Sequence, residues 1–353
     1  MVSHISIDDP HSHELTVTLK QRPELVKKYS RPSLRKSVIQ VANTFIPFVL
    51  LWWLAYTVLP VSMVGAVLVC IVNAFFLWRM LIIQHDCSHL SFFPSKMANA
   101  WMGNICSAFT LIPFKYRQAI HNTHHRHNGV LDENVRDIGA VKTMNADEYA
   151  RATPLRQLIY RMSRHWISLF VIGPFYYFLV AQRIPIRIFP HGTSIILQQM
   201  LTTAVIAVII YALGTTLGWF AFLFVHGVTF FVFGVLTIWM FYVQHQHEHA
   251  YREYKQDREY LLASLQWSSF YDLPFVLHWA TWYIGYHHIH HLCAAIPNYN
   301  LKQCHEEHPV LSSVTERLSL RKSFSLIHNF LWDEQDKRMI TFKEYKRKYN
   351  QNQ

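Results

Sequence analysis

The sequence predicts an all-α integral membrane protein: four transmembrane helices arranged as two hairpins, with a cytoplasmic helical cap carrying a di-metal site. Three observations predict it. The chain has 353 residues, of which 51% are hydrophobic and 15% aromatic, and its charges are unevenly spread. No charged residue lies between Ser37 and Trp78, and none between Ile188 and His247. Histidines recur in three clusters, HDCSH (residues 85–89), HNTHH (121–125) and HHIHH (287–291), each following long apolar sequence.

A helix crosses a bilayer with about 20 apolar residues, so each charge-free run suffices for two crossings and a tight turn. The first pair is placed at about 41–60 and 62–83, with Pro60 near the turn. The second is placed at about 193–213 and 218–243, with GTTLG (214–218) as the turn. Residues 97–114 and 166–181 are apolar but short, and the latter carries Pro174. Both read as re-entrant or interfacial segments. Residues 1–37 form a basic amino-terminal segment, 38–310 the membrane domain and 311–353 a charged carboxy-terminal segment. The mixed stretch 250–353 reads as helical, and its end, DEQDKRMITFKEYKRKYN (333–350), as a surface-lying helix. The first apolar run starts near residue 41, behind Lys20, Arg22, Lys27, Lys28, Arg31, Arg35 and Lys36, so it reads as a retained helix and not a cleaved signal.

Charge sets the expected orientation. The hairpin turns VLPVSMV and LGTTLGW hold no lysine or arginine, whereas Arg79, Lys96, Lys115, Arg117, Arg126, Arg151, Arg156, Arg161, Arg164, Arg183 and Arg187 crowd the other side. The positive-inside rule then puts both termini and the middle region in the cytoplasm, and all three histidine clusters on one membrane face. The net charge of +11 suits anionic lipid headgroups and an acidic soluble partner. The basic residues flank apolar spans, which argues against nucleic acid. Five cysteines, an odd number without a CxxC, suggest neither a disulfide framework nor a thiolate zinc site.

Imidazoles at i, i+3 and i+4 share a helix face. His85 and His89, then His121, His124 and His125, then His287, His290 and His291 make eight such rings, too many for one tetrahedral metal. They suit a pair of metals, and nitrogen-rich ligation points to iron handling dioxygen, though ligand type alone leaves zinc open. In YVQHQHEHA, His245 emerges first from the apolar run and is the ninth candidate ligand; His249, one turn on, is the weaker one. His165, His191, His226 and His278 read as packed residues, with His226 a candidate for a substrate path because it lies inside a span. His4, His11 and His13 read as tail residues, and His127 and His288 as flanking. Asp86, Asp132, Asp137 and Glu248 are candidates to orient the ligand rings from outside.

These residues resemble the integral-membrane fatty acid desaturases, whose three histidine boxes read HxxxH or HxxxxH, then HxxHH twice. HDCSHLSFF is similar to the first box with its trailing aromatics, and IGYHHIHHLCAAIPNYNL to the third box of the omega-6 or delta-12-like branch. The QHQHE stretch falls where such proteins carry a further histidine ligand. The resemblance covers about residues 40–310. Departures are Ser88 in the first box and RHNGVLDENVRD after the second. No HPGG haem motif occurs, so electrons would come from a separate ferredoxin, cytochrome b5 or rubredoxin. The resemblance implies two non-haem irons, O2 as co-substrate, and a lipid-linked or thioester-linked acyl chain that gains a cis double bond. A mid-chain methylene has no acidic proton, so an oxidising metal centre must supply the chemistry while the protein places the chain.

Two other readings compete. The same ligand set serves a fatty-acyl, alkane or carotenoid hydroxylase or ketolase. A metal-binding membrane transporter is more remote, because its ionisable residues would sit at mid-membrane and the clusters here lie outside the spans.

Overall fold

The computed structural model describes residues 22–184 and 192–349. Among these described residues the fold is mostly helical, and four helices are long and apolar enough to cross a membrane: Leu34–Val58, Met63–Ser88, Thr193–Leu217 and Trp219–His245. We call them spans one to four.

Each span is longer than the sequence suggested, for local reasons. Span one begins at Leu34, not near 41, because Ser33 caps it by accepting from the Lys36 amide. Span two starts behind Ser62, which accepts from the Gly65 amide, and runs past 83 to Ser88. Span three continues through 214–217, because the Thr215 and Thr216 hydroxyls donate back to the Tyr211 and Ala212 carbonyls within the helix. The turn shrinks to Gly218, whose φ of 84° needs a residue without a side chain. Span four runs through His245, so its last turn carries a candidate ligand.

Span two is the central helix: 61% of its apolar window is buried, against 11% for span three. It packs between spans one and four, and Ala74, Leu77, Met80 and Ile83 meet Phe233, Met240 and Val243 in one apolar core. Trp53, Val64, Leu68, Leu201, Val208 and Leu223 face outward, forming an apolar exterior.

The two short apolar segments are helical. Lys96–Thr110 lies along span two. Ser168–Ala181 contains π-helical turns around Pro174 and packs on span four, where a side chain at Gly234 would meet the Pro174 ring at 2.6 Å.

The carboxy-terminal reading needs correction. The segment expected to be one surface-lying helix is a strand pair, Leu331–Asp333 and Arg338–Ile340, followed by helix Phe342–Tyr349. Leu331–Asp333 also pairs in parallel with Met144–Asn145. The Asp333 carboxylate accepts from the Gln335 and Asp336 amides, which builds the turn inside that charged sequence. Ile340 and Tyr345 then bury against Tyr149 and Tyr160, a satellite core invisible to a helical-period reading.

Candidate metal centre

Span two delivers His85 from its last turn and His89 at its cap. A left-handed Leu111 (φ 57°) then turns the chain from helix Lys96–Thr110 into Phe114–Arg126, which holds His121, His124 and His125. Span four ends on His245, and the short helix His287–Leu292 holds the third group.

A shared device sets these elements in register. Gln84, one residue before His85, donates to the Ile112 carbonyl at 2.9 Å, just ahead of the helix carrying the second group. Gln244, one residue before His245, donates to the Ile284 carbonyl at 3.0 Å, just ahead of the helix carrying the third. Both glutamines are buried. Sequence reasoning passed over them; the available signal was an amide directly before a histidine at the end of an apolar run, where a polar side chain needs a partner.

The nine candidate histidines fall into two groups. His85, His89, His121, His125 and His290 form one, and His124, His245, His287 and His291 the other, with the ligand atoms of each group within 4.8 Å of one another. The groups adjoin, since the His125 and His291 rings stack at 4.3 Å. Helical geometry explains the sorting. With 3.6 residues per turn, i+4 falls about 40° to one side of i and i+3 about 60° to the other. So the i, i+4 pair of each helix shares a group, and the i+3 residue, His124 or His290, crosses to the neighbouring one.

The atoms inside each group are imidazole nitrogens at close range. In the first, Nε2 atoms lie 2.8 Å apart for His85 and His121, 3.1 Å for His121 and His125, and 3.0 Å for His125 and His290. In the second, the distances are 3.2 Å for His245 and His287 and 3.1 Å for His287 and His291. Ligand nitrogens about 2.1 Å from a metal lie about 3.0 Å apart at right angles and about 3.4 Å apart at tetrahedral angles. The observed spacings place the nitrogens of each group within reach of one metal ion.

Ring orientation is fixed from outside. The Asp86 carboxylate takes the His85 Nδ1 at 3.0 Å, and the Ile138 carbonyl takes the His124 Nδ1 at 2.9 Å, so Nε2 of both rings is left as the lone-pair donor. Asp86 also accepts from the Asn298 amide and side chain at 2.6 and 2.8 Å. This gives the IPNYN stretch a physical role: it ties the chain after the third group to the base of the first. Asp137 works indirectly. Its buried ion pair with Arg252, 2.9 Å, holds the loop that presents the Ile138 carbonyl. Trp267, another residue missed in the sequence, stacks on His245 with ring centres 4.3 Å apart.

The remaining candidates are elsewhere. Glu248 meets Arg338 and Asp132 accepts from the Lys255 amide, so neither orients a ring. His249 is outside both groups, beside Glu248. His288 is buried next to His305 at 3.3 Å, and the His127 Nδ1 meets the Thr123 carbonyl. His226 accepts from Trp52 and His278 from the Leu273 amide, which makes both packed residues. His165 is exposed, not packed, because it follows a surface helix. His4, His11, His13 and His191 lie outside the described residues.

Burial keeps the imidazoles neutral. It pushes His124 down to about 4, and burial with neighbouring imidazoles lowers His121, His125, His287, His290 and His291 well below the ordinary histidine range. The folded chain therefore binds fewer protons than the unfolded chain once the pH drops below the ordinary histidine value of about 6.5. Stability and metal retention should be level above neutrality and fall as the pH moves from about 6.5 toward 4. Thermal unfolding and metal content of the purified protein at pH 7.5 and pH 5 check this; equal values at both would contradict it. For Asp86→Asn, which loses the carboxylate under His85, metal affinity should drop about 10–100-fold with the helices intact. Metal titration together with circular dichroism measures both.

Comparison with known proteins agrees with this architecture. The fatty acid desaturase family matches residues 61–312. A fatty acid desaturase of Bacillus subtilis is 37% identical over 327 residues, covering 93% of this chain and 92% of that one. An acyl-lipid omega-3 desaturase (cytochrome b5) of the Arabidopsis thaliana endoplasmic reticulum is 25% identical over 64% of this chain and 58% of its own. An sn-1 acyl-lipid omega-3 desaturase (ferredoxin) of Synechocystis is 36% identical over 55 residues, 16% of this chain and 15% of its own. With a family match across most of its length and a near-full-length relative carrying the same description, this chain belongs to the fatty acid desaturase family.

Proposed function

We propose that this protein inserts a cis double bond into a fatty acyl chain, using O2 and electrons from a separate donor, at two irons held by the nine histidines. The observation that carries the reading is the sorting of His85, His89, His121, His125 and His290 into one buried nitrogen cluster and His124, His245, His287 and His291 into an adjoining one. Bound there, an iron pair supplies the oxidising power that an unactivated methylene requires. The chain's own residues do the rest. Asp86 and the Ile138 carbonyl hold His85 and His124 with their lone pairs turned inward. Gln84 and Gln244 fix the spacing between the groups. The apolar core around span two excludes water.

The membrane reading supports lipid substrates. Four apolar helices with an apolar exterior suit a multi-pass protein whose termini and histidines face the cytoplasm, as the lysine and arginine distribution suggests. The division into a basic segment 1–37, a membrane domain 38–310 and a charged segment 311–353 belongs to the same proposal. An apolar cavity of about 130 Å³ between spans two and four, lined by Phe75, Trp78, Leu236, Met240 and Leu277, suits a stretch of acyl chain. The substrate is a lipid-linked or thioester-linked acyl group. The relatives' names, one with ferredoxin and one with cytochrome b5, support a donor of that kind.

Expression in a host lacking the activity, followed by gas chromatography of fatty acid methyl esters, tests the reaction. A methyl ester with one more double bond than its precursor is the expected product. A hydroxy ester without any new alkene would replace this reading by a hydroxylase on the same ligands.

A further inference from the structure

Outside the metal centre, the most unusual surface is helix Pro154–Arg164 (PLRQLIYRMSR). One face is fastened to the protein. Tyr160 is buried and donates to the Phe330 carbonyl, and buried Arg164 donates to the Gln246 side chain at 2.9 Å and the Asn329 carbonyl at 2.7 Å. The opposite face is bare and apolar. Leu155, Leu158, Ile159 and Met162 are 66%, 54%, 57% and 60% exposed, and Trp166 just beyond is 52% exposed. The spacing i, i+3, i+4, i+7 makes this a continuous stripe.

Charge identifies what covers the stripe. From Tyr149 to His247 the sequence contains no aspartate or glutamate, yet Arg151, Arg156 and Arg161 flank the stripe and are exposed. Among the described residues, Arg151 and Arg156 have no carboxylate partner. The exposed apolar surface also continues into the next segment, through Ile172, Phe175 and Leu179, which packs on span four. We propose that helix Pro154–Arg164 lies in the bilayer surface, its leucine stripe sunk into the acyl boundary and its arginines on anionic headgroups. Amphipathic helices of this composition bury their apolar face about 5–10 Å into that boundary. The bare stripe and the arginine rim then have complementary surroundings at the same depth. Because Arg164 grips Gln246, the residue after His245, the helix also sets how far below the headgroups the metal centre hangs. The inference rests on the membrane reading but not on the reaction.

Full-length protein in lipid nanodiscs tests it. A nitroxide is placed on Leu158→Cys, with Val208→Cys in span three as the acyl-phase reference and Lys343→Cys as the aqueous one. The five native cysteines are buried. Collisions with lipid-soluble O2 and with a water-soluble nickel chelate are compared in phosphatidylcholine alone and in phosphatidylcholine with phosphatidylglycerol. The label at 158 should be reached by O2 and shielded from nickel, more so with phosphatidylglycerol, and Arg151→Gln/Arg156→Gln should abolish that increase. Nickel access equal to that at 343 would show a stripe facing water. Shielding from both reagents would show a protein, another copy or a donor, covering it. Shielding unaffected by phosphatidylglycerol would remove the anionic part. Any of these overturns the proposal, whereas a Val208→Cys label open to nickel would instead defeat the membrane reading itself.

Discussion

A His124→Ala protein should insert into the membrane normally and make no detectable alkene, with activity down more than about 100-fold. Partners outside the ligand sphere alone cost about 10–100-fold when removed, and a ligand should cost more. The cluster of His124, His245, His287 and His291 has four rings, so it would keep three. Bound metal should fall from two toward one per chain. His290→Ala should act in the same way on the other cluster. Insertion should survive because both rings stand outside the four spans, in helices held by Gln84 and Gln244. His288→Ala is the control. That ring is just as buried but lies beside His305, outside both clusters, so turnover should stay close to that of the parent. Metal analysis by mass spectrometry and methyl-ester chromatography read the two effects separately. Near-normal turnover in His124→Ala, or equal loss in His288→Ala, would show that the ligand sets have been drawn wrongly.

How much of this could be read from the sequence depends on the range of the interaction. The four apolar helices were legible because two charge-free runs have a length that only a bilayer or a very large core explains. Their ends were not. Ser33, Thr215 and Thr216 extend helices by local hydrogen bonds that hydropathy does not register. The candidate histidines were legible from helical spacing, but their sorting was not. A shared face was expected for His121, His124 and His125, and the divergence of i+3 from i+4 only matters once a second helix arrives to receive the difference. The outer partners show the same limit. Asp86 neighbours His85 and was a natural candidate, and it is the one that bonds a ring. Asp137 was named for a direct role but acts through the Ile138 carbonyl, a backbone group without a sequence signature. Gln84, Gln244, Trp267 and Arg252 were all missed, since each contacts a segment distant along the chain. The strand pair at 331–340 was hidden by its charge, because an Asx turn and three-residue strands carry too little periodicity to compete with a helical pattern.

The second large effect is expected at Arg252. Its guanidinium and the Asp137 carboxylate meet at 2.9 Å with side chains 1% exposed on both sides, so neither charge has water to fall back on. Removing one member of such a pair costs about 3–5 kcal/mol, mostly from the charge left behind. Arg252→Leu strands the Asp137 carboxylate, whose other oxygen accepts from the Thr143 amide at 2.9 Å and whose backbone is already left-handed at φ 54°. The loop it braces carries the Ile138 carbonyl to the His124 Nδ1. Two losses should therefore appear together: thermal stability falls by several degrees or more, and metal binding by the second cluster weakens about 10–100-fold. The double variant Arg252→Leu/Asp137→Asn separates the causes. An asparagine can still accept from Thr143 but carries no charge, so stability should recover most of the way. Metal affinity should recover with it, because the loop again presents Ile138. Thermal unfolding in detergent and metal titration of the parent, the single variant and the double variant supply the comparison. If Arg252→Leu alone is as stable as the parent, the ion pair does not brace the loop that presents the Ile138 carbonyl to His124.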